Sequence, residues 1–137
     1  MPCAPNFRWS FVEGRVSQLP HGAEALVAAI ENNIGVARGL ASAITASDDF
    51  ELLAPVPLSI VCFRYVPAHL RGREPELNAF NRELMVAVQR DGSSYMSNAT
   101  IGATFALRVC IVNHRTVPSD IEQLLGNIRL AARRLLA

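Results

Sequence analysis

Apolar residues recur at intervals of three and four along three stretches of the chain, which is the spacing of one face of an amphipathic helix. The stretches are residues 23–46, residues 76–90 and a final stretch that begins at Pro118, a residue suited to the first position of a helix. Either Thr116 or a capping box over Ser119–Glu122 is expected to start the last helix. The three predicted apolar faces are Leu26, Ile30, Ile34, Ala37, Ala41 and Ile44; Leu77, Phe80, Leu84 and Val88; and Ile121, Leu124, Leu125, Ile128, Ala132 and Leu135.

Short segments rich in β-branched and aromatic residues lie between these stretches and predict strands. The clearest strand is LSIVCFRYV at residues 58–66, and residues 50–53 form a short segment before it. Two prolines follow that short segment, so we expect it to be a broken strand or an edge strand. Residues 94–100 and 105–112 flank a turn around Gly102 and predict a hairpin.

The order of these elements predicts an α+β fold: helix, two strands, helix, two strands, helix. We expect a small, mostly antiparallel sheet of about four strands, with the helices packed on one face. Residues 1–19 are weakly patterned, and we expect a loose extension or a segment that packs on a partner. Residues 20–137 are expected to form one domain that includes the long helix of residues 23–46.

Composition excludes several classes of function. All 13 cationic residues of the 137-residue chain are arginine, and without a lysine the chain cannot form a Schiff base or build a P-loop. The net charge of +1 argues against a nucleic-acid surface, and no apolar run is long enough for a membrane span. The N-terminus lacks the pattern of a signal peptide, and the three cysteines are expected to be free thiols in a cytoplasmic protein.

Chemical motifs are scarce. The scattered histidines and cysteines do not have the spacing of a metal site. Cys110 and His114 form a possible nucleophile pair by residue type, but a buried cysteine beside a loop histidine is the favoured interpretation. The acidic residues Asp48, Asp49, Glu74 and Glu76 lie at exposed element boundaries and are expected to be caps or solvated charges.

Two arginines stand inside apolar strands. Arg108 lies in FALRVCIV, and Arg64 lies in LSIVCFRYV. An arginine in a strand centre must pair or reach solvent, because burying an unpaired charge is very costly. Its planar guanidinium suits a carboxylate, which could belong either to a ligand or to an acidic residue at the rim of the core.

Four stretches of the sequence together resemble one family of enzymes. They are FELLAPVPLSIVCFRYVP at residues 50–67, LNAFNRELM at residues 77–85, YMSNATIGATFALRVCIVNHRT at residues 95–116, and the terminal helix after VPSDIE. They resemble the C-terminal small domain of the pyridoxal-phosphate-dependent amino-acid decarboxylases, especially the aromatic-L-amino-acid and tyrosine decarboxylases. The helix of residues 23–46 is similar to the helix that links the large and small domains there. The resemblance covers about residues 20–137.

The resemblance implies a fold-type-I, homodimeric enzyme that releases carbon dioxide from an amino acid. Such enzymes bind pyridoxal phosphate as an imine to a lysine of the large domain. This chain has no lysine, so we expect no cofactor in the chain alone and pyridoxal phosphate only in the complete enzyme. Arg108 matches an arginine that is associated with the substrate carboxylate in the glutamate branch, and it is the one candidate substrate-binding residue. Arg64 is expected to be structural.

The expected partner is the large domain, either missing from this chain or carried by another chain, and self-association is expected as well. A fragment of a decarboxylase, inactive alone, is the favoured interpretation. A piece of a split enzyme and a reused small domain stay open. The alternative from another class is a non-catalytic α+β module for ligand binding or dimerisation.

Overall fold

The computed structural model describes residues 22–92, 94, 96–113 and 115–137, and it confirms the predicted α+β class and element order. The predicted extension of residues 1–19 lies outside the described residues. A short 3₁₀ turn, Ala68–Leu70, follows the second strand. The helices and strands are α1 (Gly22–Thr45), β1 (Phe50–Leu52), β2 (Ile60–Tyr65), α2 (Glu74–Asp91), β3 (Ser97–Ile101), β4 (Thr104–Cys110) and α3 (Pro118–Leu136).

The four strands form one antiparallel sheet in the order β1-β2-β4-β3. The predicted hairpin is β3 and β4, and its turn contains Gly102 at a φ of 61°, a conformation that glycine adopts at little cost. β3 begins at Ser97 rather than Ser94, and β1 is the short edge strand that its prolines predicted. The segment that begins with Leu58 was predicted too long, because strand pairing with β4 starts only at Ile60.

The core lies between one face of the sheet and the three helices. Val61 and Phe63 of β2 are opposite Val109 and Leu107 of β4, and all four are buried. The predicted apolar face of α2 is confirmed, since its four residues are buried in the same cluster. α3 packs against both α1 and α2. Its predicted face is buried too, except for a partly exposed Leu124 and for Leu135 at the exposed end of the helix.

The first half of α1 departs from the prediction. Burial in this helix begins only at Val36, whereas Val27 and Ile30 are 51% and 48% exposed. The predicted stripe therefore packs on the core only at its C-terminal end, and the other end leaves apolar side chains without cover among the described residues. Although α1 is long and apolar, no helix in the described part of the chain has the length and hydropathy needed to cross a membrane.

The start of α3 also differs from both predicted caps. Val117 is the residue before the helix, and Pro118 occupies the first turn as expected. The Val117 N–H donates to Oδ2 of Asp120 at 2.9 Å, and the Asp120 N–H donates to the Val117 carbonyl at 3.0 Å. Since proline has no N–H to cap, this reciprocal pair closes the first turn one residue later than Thr116 would have done.

An ion pair connects α3 to the beginning of the sheet. Arg129 donates from Nε to Oδ2 of Asp49 at 2.7 Å and from Nη2 to Oδ1 at 3.0 Å. Its guanidinium also lies 5.1 Å from the centre of the Phe50 ring. The hydrogen bonds to Arg129 lower the pKa of the Asp49 carboxyl, although partial burial works against them. The expectation that Asp49 is a cap or a solvated charge is therefore wrong, because its carboxylate is partly buried and paired with Arg129.

Two asparagines of α2 bind the strands where β2 and β4 stop pairing, just beyond Phe63 and Leu107. Asn81 is fully buried, accepts the Tyr65 N–H at 2.8 Å and donates to the Tyr65 carbonyl at 2.9 Å. Asn78 accepts the Phe105 N–H at 2.9 Å and donates to the Ala103 carbonyl at 3.1 Å. These amides replace strand partners, so α2 sets the position of both strand ends.

Candidate functional site

Both strand arginines project from the face of the sheet opposite the core, because side chains alternate along each strand. Cys62 and Ser97 are the cross-strand neighbours of Arg108, from β2 and β3 respectively. Glu51 of β1 is the cross-strand neighbour of Arg64. We call this set the polar sheet face: Glu51, Cys62, Arg64, Ser97 and Arg108.

Arg64 is a buried cation in an ion-pair network whose two carboxylates are about half exposed. Its side chain donates from Nε to Glu51 at 2.6 Å and from Nη1 and Nη2 to Glu74 at 2.7 and 3.2 Å. Glu74, in the first turn of α2, raises the pKa of the Arg64 guanidinium, and Glu51 adds to this effect. In return, Arg64 lowers the pKa of Glu74.

The network joins β1, β2 and α2, and Arg64 itself is only 7% exposed. Two carboxylates from this chain engage three nitrogens of the guanidinium, so the acidic residues at the core rim, rather than a ligand, account for this buried cation. Glu74 is exposed in the first turn of α2, as expected, and its carboxylate also pairs with the buried Arg64, which the sequence did not predict.

Arg108 has a different environment on the same face. It is half-buried in the middle of β4, and its Nε donates to Oγ of Ser97 at 3.0 Å. Ser97 is itself 7% exposed. Arg108 takes part in further interactions besides this bond. Its cross-strand neighbours, a hydroxyl and a thiol, are neutral, whereas the cross-strand neighbour of Arg64 is a carboxylate.

Cys62 is a half-buried free thiol next to Arg108. Burial raises its pKa, and the positive charge of Arg108 opposes that rise. Cys110, two residues along β4 from Arg108, is half-buried and disulfide-bonded, so the predicted free thiol at this position is wrong. A disulfide-bonded sulfur is not a nucleophile, which removes the candidate pair with His114, a residue outside the described part of the chain.

Metal chemistry has no support in the described residues, where no group of three or more histidine, cysteine, aspartate or glutamate side chains could hold an ion. The sequence reasoning found Arg64 and Arg108 but missed Ser97, Glu51 and Asn81. A signal existed for Asn81, because it falls within the helical stripe of Leu77 and Leu84. Ser97 and Glu51 depend on strand register, which the spacing of residues along one strand does not reveal.

Comparison with known proteins gives a consistent picture, although no protein-family model matches the sequence. The chain is 26% identical to an aromatic-L-amino-acid decarboxylase of Bacillus atrophaeus over 83% of this chain and 24% of that protein. It is 33% identical to a phenylacetaldehyde synthase of Arabidopsis thaliana over 85% of this chain and 23% of that protein. The fold matches a crystal structure of Oryza sativa TDC with PLP and tryptamine at a TM-score of 0.75 and 22% identity, over 85% of this chain and 25% of that one.

The chain thus spans about a quarter of the length of the curated relatives it matches. The match to the Arabidopsis protein extends over 116 of the 137 residues, so it must include residues 22–116. The exposed half of α1 and the polar sheet face therefore both lie inside the matched region. The alternative of an unrelated binding or dimerisation module is not favoured by these matches.

Proposed function

We propose that this chain works as the C-terminal small domain of a pyridoxal-phosphate-dependent amino-acid decarboxylase. Most of the chain is related to proteins of this family, and the match covers about a quarter of the length of each. The observation that carries the proposal is the combined match of sequence and fold to about a quarter of the length of larger proteins. The chain contributes strands, helices and a polar face, and another part of the enzyme contributes the reactive centre.

The residues of this chain do not fit pyridoxal phosphate as a complete site. The group needs a lysine amine, and the sequence contains none. Its chemistry when bound is to withdraw electrons from the amino-acid substrate, and that role falls to the large domain. We therefore expect the chain alone to have no decarboxylase activity. We also expect residues outside this chain to determine which amino acid is the substrate.

The proposed partner is the large domain, and the exposed half of α1 is its contact surface. Val27 and Ile30 are about half exposed on a helix that lies inside the matched region. Scattered single apolar residues are common on surfaces, but two neighbours on one helix face, one turn apart, indicate a surface that is covered in the assembled enzyme. Without that partner, we expect this surface to drive self-association of the chain.

We further propose that Arg108 contacts the carboxylate of the substrate. Support comes from its place on the face of the sheet opposite the core, its planar guanidinium and its match to the family arginine named above. In this role Arg108 binds and orients the substrate, while Arg64 holds the strand and helix ends in place through Glu51 and Glu74.

The test is to supply the chain with a large domain. The Bacillus atrophaeus decarboxylase, produced without the quarter that this chain matches, is mixed with the chain, and carbon dioxide release from L-phenylalanine and L-tyrosine is measured. We expect a complex by size-exclusion chromatography with light scattering, and activity only in the mixture. Failure of the two to associate would overturn the proposal.

Two matched variants test the contact surface. Ile30→Glu places a charge on the exposed half of α1, and Leu130→Glu places one on α3 at a residue of similar exposure, 46%. We expect I30E to abolish both the complex and self-association, and L130E to preserve them. Equal effects of the two substitutions would show that α1 is not the contact surface.

A further inference from the structure

The face of the sheet opposite the helices ends in apolar residues beyond Arg108. Ile60 of β2 and Cys110 of β4 are directly opposed there, and Ser59 continues the pairing by accepting the Ile111 N–H at 2.9 Å. Three apolar side chains at this end of the two strands are exposed: Leu58 at 62%, Ile60 at 46% and Val112 at 37%. We call these three residues and Cys110 the apolar end of the sheet. An exposed apolar cluster of this kind indicates a surface that another segment covers.

The disulfide of Cys110 identifies the segment that can reach this surface. The chain has three cysteines, of which Cys110 is disulfide-bonded and Cys62 is a free thiol. Within one chain this leaves Cys3 as the partner of Cys110, near the start of residues 1–21, which precede α1. A bond between these two cysteines would bring that segment to the apolar end of the sheet.

The sequence that follows Cys3 suits an apolar surface. Phe7, Trp9 and Phe11 are two residues apart, so in an extended conformation their side chains share one side. Phe7 comes four residues after Cys3, which is within roughly 14 Å along a fully extended chain. The chain from Cys3 to the start of α1 can extend over roughly 60 Å, whereas a domain of this length has a radius of gyration of roughly 14 Å, so the segment is long enough to reach the sheet.

We infer that residues 1–21 cover the apolar end of the sheet, where a disulfide between Cys3 and Cys110 tethers them and the three aromatic side chains pack on its exposed apolar residues. A tether this short holds the aromatic residues at an effective concentration on the order of millimolar, so modest apolar contacts are enough to keep them docked. The partner of this surface is part of the chain itself. The inference is therefore independent of the proposed large domain and of the proposed role of Arg108.

Peptide mass mapping without reductant tests the tether. Trypsin cleaves after arginine and places the three cysteines in separate peptides, residues 1–8, 39–64 and 109–115. Free thiols are alkylated first, so that disulfides cannot exchange during digestion. We expect residues 1–8 to be linked to residues 109–115, and residues 39–64 to carry the alkylated thiol of Cys62. Linkage of residues 109–115 to another peptide, or to none, overturns the proposal. A dimer band on a non-reducing denaturing gel also overturns it, because the occupant would then be a second copy.

Fluorescence of Trp9, the only tryptophan of the chain, tests the docking. Ile60→Glu places a charge in the apolar end of the sheet, and Leu130→Glu places one on α3 at the same exposure, 46%. We expect I60E, but not L130E, to move the emission towards the longer wavelength of the urea-unfolded chain, because a carboxylate is costly to bury under the aromatic residues. Circular dichroism confirms that both variants are folded, and Val112→Glu replaces I60E if that variant is not. The same emission in I60E and L130E overturns the docking.

Discussion

Replacing Asn81 by alanine tests whether α2 holds the end of β2 by hydrogen bonds or only by packing. Asn81 is 0% exposed and satisfies both backbone groups of Tyr65, and it also donates to the Leu77 carbonyl at 2.8 Å. N81A removes the partners of the Tyr65 N–H and carbonyl at a place where β2 has stopped pairing with β4. The Leu77 carbonyl contributes less to the destabilisation, because it belongs to an α-helix and still accepts a helical N–H.

The loss of unfolding free energy in N81A follows from the number of buried backbone groups that are left without a hydrogen-bond partner. Each unsatisfied buried backbone group costs about 1–3 kcal/mol, so the two groups of Tyr65 together cost about 4 kcal/mol. That is a large fraction of the roughly 5–15 kcal/mol that stabilises a typical domain. With a urea dependence of about 1.5 kcal/mol per molar, the unfolding midpoint should fall by about 2–3 M.

Asn78 provides the internal comparison, because it makes the same two kinds of bond one turn earlier on the same helix. It is half-buried, so water can replace the amide, and N78A should cost only about 1 kcal/mol. Urea unfolding followed by circular dichroism measures both variants. The reasoning is refuted if N81A destabilises the chain no more than N78A does.

Two further predictions use titrating groups. Because Arg129 lowers the pKa of Asp49, their pair stabilises the fold fully above about pH 5 and progressively less as the pH falls through the lowered pKa. The difference in unfolding free energy between wild type and D49N should therefore be constant above about pH 5 and shrink below it, and a difference that stays constant down to about pH 3 would contradict this. The positive charge of Arg108 opposes the rise in the pKa of Cys62, so R108A should raise the pH at which alkylation of Cys62 is half-maximal. Peptide mass mapping measures the alkylation rate against pH, with R38A as control, and an unchanged midpoint would exclude this electrostatic effect.

Periodicity predicted the elements of this fold but not what each apolar face packs against. For α2, the spacing of Leu77 and Leu84 predicted a face that is buried as expected. For α1, the same reasoning placed Ile30 on a buried face, yet it is exposed in the structure. A helical stripe shows which side of a helix is apolar, and it carries no information about how far the partner surface extends.

The polar sheet face was only partly predictable for a related reason. The cost of burying a charge identified Arg64 and Arg108 as residues that need partners. The partners themselves, Glu51, Glu74 and Ser97, come from other elements and depend on strand register and on the position of α2. These are properties of the assembled sheet, so a pattern read along one strand at a time could not supply them.

The uneven burial of α1 divides one helix into two parts with different rates of local opening. Amide protons from Val36 onwards belong to a segment anchored in the core, whereas no residue of α1 before Val36 is buried in the described part of the chain. A helical segment of that length has marginal stability in water by itself, so hydrogen exchange should change from fast to slow within a single continuous helix. Docking of another domain would slow the fast half, and α1 would then report assembly directly, residue by residue.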